Sequence, residues 1–209
     1  MALMLVLVIA AVDARATPFT GWGVKFGLAS ASQTIEPTTN DDISRRLGFA
    51  AGGFAQWFDW RGVSVVTGLD YVQKGSTVTL HLVTDATGRL IGDTDVTSLL
   101  HYLSVPVTVR LTSRNEGLKL YVAGGPRMDV YLGHGDTWFG VEDDFKSTVF
   151  GASFGVGLEN AIGDSGFRFF GEFVYDYDVT SQYEVTSTIT NTTFRSKNNS
   201  FSVTIGVAR

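Results

Sequence analysis

Charged residues recur at even spacings along several stretches of this chain. Arg127 and Asp129 are two apart, Arg168, Glu172 and Asp176 follow at steps of four, and Asp70 stands four before Lys74. On an extended chain, residues an even number apart share one face. There they can pair with opposite charges on adjacent strands, which makes an ion-pair network the first chemistry to consider. Catalysis has thinner support. The histidines are His81, His101 and His134, and His134 lies two residues from Asp136. A hydrolase needs nucleophile, base and orienting group within hydrogen-bond reach. No Gly-x-Ser-x-Gly is present, and no His is followed by a recognisable partner pattern. Glu142, Asp143 and Asp144 are adjacent, with Asp136 before them. Calcium takes several carboxylate oxygens, but neighbours on an extended chain point apart and the EF-hand spacing is missing. Gly124-Gly125 and Gly155-x-Gly157 would need a following helix to cradle a phosphate, and no helix is predicted. No cofactor or metal is therefore expected, and the chain is expected not to be an enzyme.

The element that must position the charges is the strand. In Phe167 to Asp178, FRFFGEFVYDYD, one alternate set is Phe167, Phe169, Gly171, Phe173, Tyr175 and Tyr177. The other set is Arg168, Phe170, Glu172, Val174, Asp176 and Asp178. A helix, with a period near 3.6, would mix the two sets. A strand of about 9–11 residues tilted near 45° crosses a bilayer.

Seven further segments repeat the pattern: 21–29, 46–58, 63–74, 99–111, 118–132, 147–160 and 199–207. The second is the least clear, because Phe54 and Phe58 fall opposite its apolar set of Leu47, Phe49, Ala51, Gly53, Ala55 and Trp57. Pro106 lacks a backbone donor and is expected at a bulge or an unpaired position. Connections alternate long and short. The long ones are Ser30 to Ser44, Gly75 to about Ser98, Gly133 to Lys146, and Val179 to Asn198. Within the second, TVTLHLV is expected to extend a hairpin beyond the membrane. Even strand number, long external loops and short periplasmic turns are the pattern of outer-membrane barrels. The expectation is an all-β, eight-stranded, antiparallel, up-and-down transmembrane β-barrel.

The first residues, MALMLVLVIAAVDARA, resemble a secretory signal peptide, with Ala14-Arg15-Ala16 as a small-x-small cleavage site. This divides the chain into residues 1–16, a leader, and residues 17–209, the barrel. A soluble eight-stranded barrel would show the same alternation with its apolar face inward. Three features favour the membrane. The polar face is rich in Gly, Ser and Thr with isolated charges, and lacks dense Lys and Glu. Trp57, Trp60, Tyr71, Tyr102, Tyr131, Tyr175 and Tyr177 cluster near strand ends, as interfacial girdles do. Loop lengths alternate strictly. The interior is then expected to hold a network of Asp70, Arg110, Lys119, Arg127, Asp129, Glu159, Arg168 and Glu172. An eight-stranded barrel is just wide enough for its side chains, so this lumen should be filled.

GLDYVQKGS, Gly68 to Ser76, is followed by HYLSVPVTVRL, His101 to Leu111, and then by YVAGGPRMDVYLG, Tyr121 to Gly133. These stretches resemble the PorT-type outer-membrane β-barrels of Bacteroidetes-like bacteria. In that family a strand ends in Tyr-x-x-Lys-Gly and the next carries Tyr-Leu-x-x-Pro. The resemblance implies an eight-stranded outer-membrane barrel and little about activity. The expected role is structural or interactive, through the external loops. A small channel and a lipid-modifying enzyme are the alternatives. Partners are expected to be outer-membrane lipid and lipopolysaccharide, with an unknown external or periplasmic protein. The net charge of −5 argues against nucleic acid.

Overall fold

A computed structural model describes residues 19–37, 42–84, 90–115, 117–135, 146–186 and 193–209. The expected leader, residues 1–16, lies outside the described residues, as do Asp136 and the carboxylates at 142–144. The described chain forms β1 (Phe19–Glu36), β2 (Asp42–Trp60), β3 (Val63–Thr84), β4 (Leu90–Thr112), β5 (Lys119–Gly135), β6 (Thr148–Ala161), β7 (Arg168–Asp178), β8 (Tyr183–Thr186) and β9 (Thr193–Ala208). All pairings are antiparallel. β1 to β7 follow in order, β7 pairs with β9, and β9 pairs back to β1. Eight strands thus close a barrel, and β8 is a short hairpin partner on the outer end of β9. Closure leaves no edge, the condition for a sheet to stand in lipid, where nothing else can satisfy backbone N–H and C=O groups.

Side chains alternate as a period of two requires. Phe26 lies between Ala51 and Ile205, and Leu28 between Phe49 and Val203, all on the outside. Trp22, Val24, Phe26 and Leu28 on β1, and Phe150, Phe154, Val156 and Leu158 on β6, are exposed. So are Val107, Val109 and Leu111 on β4. In water such a surface would be a liability; in lipid it is the solvated face.

The strands are longer than the alternation suggested. β3 continues to Thr84 and β4 begins at Leu90, so TVTLHLV does extend a hairpin. β1 reaches Glu36 and β2 starts at Asp42, which shortens the expected loop between them. The expected loop Val179 to Asn198 contains β8 and the start of β9. The physical reason is common to all three. Past Tyr71 and His101 the outward residues become Gln73, Thr77, Thr97 and Asp95, so the apolar contrast disappears while backbone pairing goes on. The opposite end is tight. Trp60 pairs with Val63 across Arg61-Gly62, whose φ values are 52° and 81°. Positive φ at both central residues is the hairpin turn that suits strand twist.

Pro106 sits where the β3–β4 ladder skips from Thr67↔Val107 to Asp70↔Ser104, unpaired on the β3 side while it stays in register with Arg127 of β5. Tyr102, which stands near a strand end but also in the inward alternate set of its strand, is 1% exposed and faces the lumen rather than a girdle.

Two outcomes follow from this geometry. Val107→Arg, on the outer face, should cost about 2–4 kcal/mol if it lies near the bilayer midplane. Thr108→Arg, facing the lumen, should cost much less, and folding equilibria in lipid vesicles compare the two. Equal penalties would remove the inside–outside assignment. A single cysteine at Glu184 should label on intact cells, while one at Asp164 in the β6–β7 turn should not; the opposite pattern would invert the barrel.

Candidate functional site

The inward face is the only place in the described chain where opposite charges gather in number. Arg127 is its hub. It forms ion pairs with Asp176 at 2.8 Å and with its own strand neighbour Asp129 at 3.1 Å, and its Nη2 donates to Asp178 of β7. Lys74 of β3 reaches Asp129 at 2.5 Å and Asp178 at 3.8 Å. Lys74, Arg127, Asp129 and Asp178 are buried in this layer. Ser153 donates to Asp176 at 2.6 Å. Such groups persist away from water only when paired and hydrogen-bonded.

Above this layer the outer mouth is closed by polar side chains. Gln182, just beyond β7, is 1% exposed. It accepts from Tyr102 Oη at 3.0 Å and from Asn198 Nδ2, and its own Nε2 donates to Ser196 Oγ at 3.0 Å. Ser76 donates to Gln33 at 2.9 Å beside it. Outside the barrel wall, Lys146 lies 3.0 Å from Glu184, and its hydrogen bond holds that carboxyl below the usual range.

Below the Arg127 layer, Lys25 bridges Asp70 at 3.2 Å and Glu172 at 3.4 Å. A cavity of about 80 Å³ adjoins this triad, lined also by Ser104, Thr108, Ser202 and Thr204. Asp70 Oδ1 and Thr204 Oγ1 have no protein partner, so ordered water is their natural complement.

An aromatic layer comes next. Phe54 and Phe170 meet edge to face at 5.6 Å. The guanidinium of Arg110 lies 3.5 Å from the Tyr121 ring centre, and Tyr121 Oη donates to Glu172 at 3.0 Å. These rings lie over glycines. A Cβ at Gly23 would stand 2.5 Å from Phe54, one at Gly206 2.5 Å from Phe170, and one at Gly157 2.3 Å from Tyr121. Phe54, which blurred the face assignment of β2, and Phe170, which shares the polar set of β7, are therefore lumen fillers. At the lowest level Glu159 is shared by Arg110 at 2.5 Å and Arg168 at 3.3 Å.

Of the network residues named from sequence, the structure brings Asp70, Arg110, Arg127, Asp129, Glu159, Arg168 and Glu172 into ion pairs. It does not bring Lys119 into one among the described residues. The sequence reading left Lys25, Lys74, Asp176 and Asp178 out of that set, although alternation put them on polar faces. Gln182 and Asn198 lay in a supposed loop. His101 sits on the outer face, 2.5 Å from Tyr71 Oη, and His134 is 2.8 Å from Tyr131 Oη. The lumen carboxylates are engaged by Lys and Arg, and among the described residues no group of three or more His, Asp or Glu is arranged to hold a metal.

A closed eight-stranded barrel with an apolar exterior and a paired ionic interior defines a small outer-membrane barrel. The chain matches the outer membrane protein beta-barrel domain family over residues 18–184 and belongs to it. It is a protein of the bacterial outer membrane. Among solved structures it is similar to the outer membrane protein OprG from Pseudomonas aeruginosa, with 9% identity, 94% of this chain and 99% of that chain covered, and a TM-score of 0.51. It is similar to Neisserial surface protein A, with 13% identity, 90% and 97% coverage, and a TM-score of 0.48. No curated protein matches it in sequence. The expectation that the chain is not an enzyme is corrected. The similar structures include the outer membrane protease OmpT from Escherichia coli, with 12% identity, 94% and 98% coverage and a TM-score of 0.47. Fold does not decide activity, so the architecture by itself leaves catalysis open.

Removing the hub should be costly. Arg127→Ala strands the buried carboxylates around it and should destabilise the barrel by about 3–5 kcal/mol. Glu184→Ala, on the exposed outer end, should be nearly silent. Urea unfolding of the refolded protein measures both; comparable losses would mean that the hub is not where stability resides.

Proposed function

We propose that this barrel serves as a structural and interaction element of the outer membrane, working through its external end, with a filled lumen that is not an open pore. The observation that carries the proposal is the sequence of layers inside it. Gln182 and its partners occupy the outer mouth. Arg127 and Lys74 with their carboxylates span the next level. Phe54, Phe170 and Tyr121 fill the level below the Lys25 triad. An eight-stranded barrel has room for side chains and little more. The tall β3–β4 hairpin and the β8–β9 hairpin stand beyond the apolar belt and supply surface for contact. Exposed connections on a rigid scaffold are where binding sites usually lie. The partners in this reading are lipopolysaccharide around the belt and an external or periplasmic protein. A cleaved leader at residues 1–16 and membership of the PorT-type group, supported by Tyr71-x-x-Lys74-Gly75 and Tyr102-Leu103-x-x-Pro106, belong to the same proposal.

A small channel is the second reading, favoured by the cavity beside Lys25, Asp70 and Glu172. Planar-bilayer recording of the purified protein separates the two. The filled barrel should give no stable conductance steps. Large, voltage-independent open steps from the wild type would replace it with the channel.

A further inference from the structure

Among the described residues, the lower mouth of the barrel differs from the rest of the lumen in having more cation than carboxylate: Arg114, Lys119 and Arg168 against Asp59 and Glu159. Two adjoining hollows of about 390 and 270 Å³ open there, both lined by Arg114, Lys119, Glu159 and Arg168. Small-ligand sites run to roughly 300–1,000 Å³. Glu159 is already divided between Arg110 and Arg168. Arg114 is fixed without a carboxylate. Its Nε and Nη2 donate to the Arg61 carbonyl at 3.3 and 3.1 Å, which ties the β4–β5 turn to the β2–β3 turn. Lys119 has no hydrogen-bond or ion-pair partner among the described residues. A second observation comes from the wall. Gln56 lines the smaller hollow and is 6% exposed, yet its side-chain oxygen is buried with no donor. A buried acceptor left unmatched is costly, and a bound group that brings an N–H would relieve it.

We propose that this mouth is a binding site for the terminal carboxylate of a peptide. The carboxylate would lie against Lys119 and Arg114, and the adjoining amide N–H would donate to Gln56 Oε1. A peptide end presents both groups on neighbouring atoms. Phosphate carries its charge and its P–OH donors on one centre, without an adjoining amide, and serves as the control. The mouth lies at the short-turn end, the periplasmic side in barrels of this kind. Peptide carboxylates there come from two sources, the stem peptides of the cell wall and the C-termini of periplasmic proteins.

The test uses the full refolded barrel in lipid nanodiscs. Titration calorimetry follows N-acetyl-D-Ala-D-Ala, N-acetyl-L-Ala-L-Ala, their C-terminal amides and inorganic phosphate. The acids should bind at least roughly tenfold more tightly than the amides, the worth of one charge-assisted hydrogen bond. Lys119→Gln and Gln56→Leu should each weaken the acid by a similar factor, with unchanged thermal unfolding showing that the barrel is intact. Preference for the D-peptide assigns the site to the wall, and preference for the L-peptide, or none, to protein C-termini. No acid binding, equal binding of acid and amide, phosphate bound as well as the peptide, or a Lys119→Gln barrel that binds like wild type would overturn the proposal.

Discussion

The constraint on which the rest of this structure depends is that a charge inside a narrow barrel must find its partner on another strand. Eight strands leave an interior too narrow for bulk water, yet backbone pairing gives every strand an inward face. Filling that face with hydrocarbon is one solution, and this chain uses it in the aromatic layer, in a small cluster of Ala29, Ala50 and Val72, and at Leu100 and Val149. Elsewhere it uses Arg and Lys bridging carboxylates from different strands: Arg127 of β5 to Asp176 and Asp178 of β7, Lys74 of β3 to Asp129 of β5, Lys25 of β1 to Asp70 of β3 and Glu172 of β7. Each bridge crosses the lumen or skips a strand. Together they fix register, because a slip of one residue would send these charges into lipid. Their net stabilisation is smaller than their number suggests, since desolvation offsets attraction.

The glycines complete the same logic. A ring that points into the lumen needs space on the facing strand, and Gly23, Gly157 and Gly206 provide it for Phe54, Tyr121 and Phe170. The 24 glycines of the chain thus include positions where the wall must come close to a side chain rather than turn. Gly52 extends this to the ionic layers, where a Cβ would stand 2.0 Å from Asp70 Oδ1.

Much of this was legible before any coordinates. Alternation with a period of two revealed the strands, their facing and the closed fold, because lipid outside and charge inside give strong contrast. The outer strand ends were not legible, because Gln73, Thr77 and Thr97 are polar on a face that no longer meets lipid. Phe54 looked misplaced because face assignment assumes that aromatics face out, and a lumen plug breaks that assumption. The pairing of Lys74 with Asp129 required the cross-strand register, which composition and spacing along a single strand do not contain. Gln182 was missed for a different reason. It belongs to a connection that folds back over the mouth, and nothing in the sequence around it marks a buried side chain.

The central claim is that the lumen charges act as bonded partners rather than as independent residues. A double-mutant cycle on Lys74 and Asp129 tests it most directly. Lys74→Met, Asp129→Asn and the double variant are refolded into the same lipid, and their unfolding free energies are compared. The account predicts that each single change destabilises the barrel. The double change should cost less than their sum, with a coupling of about 1–3 kcal/mol between residues in contact. Strictly additive losses would contradict it, because they would mean that neither side chain depends on the other.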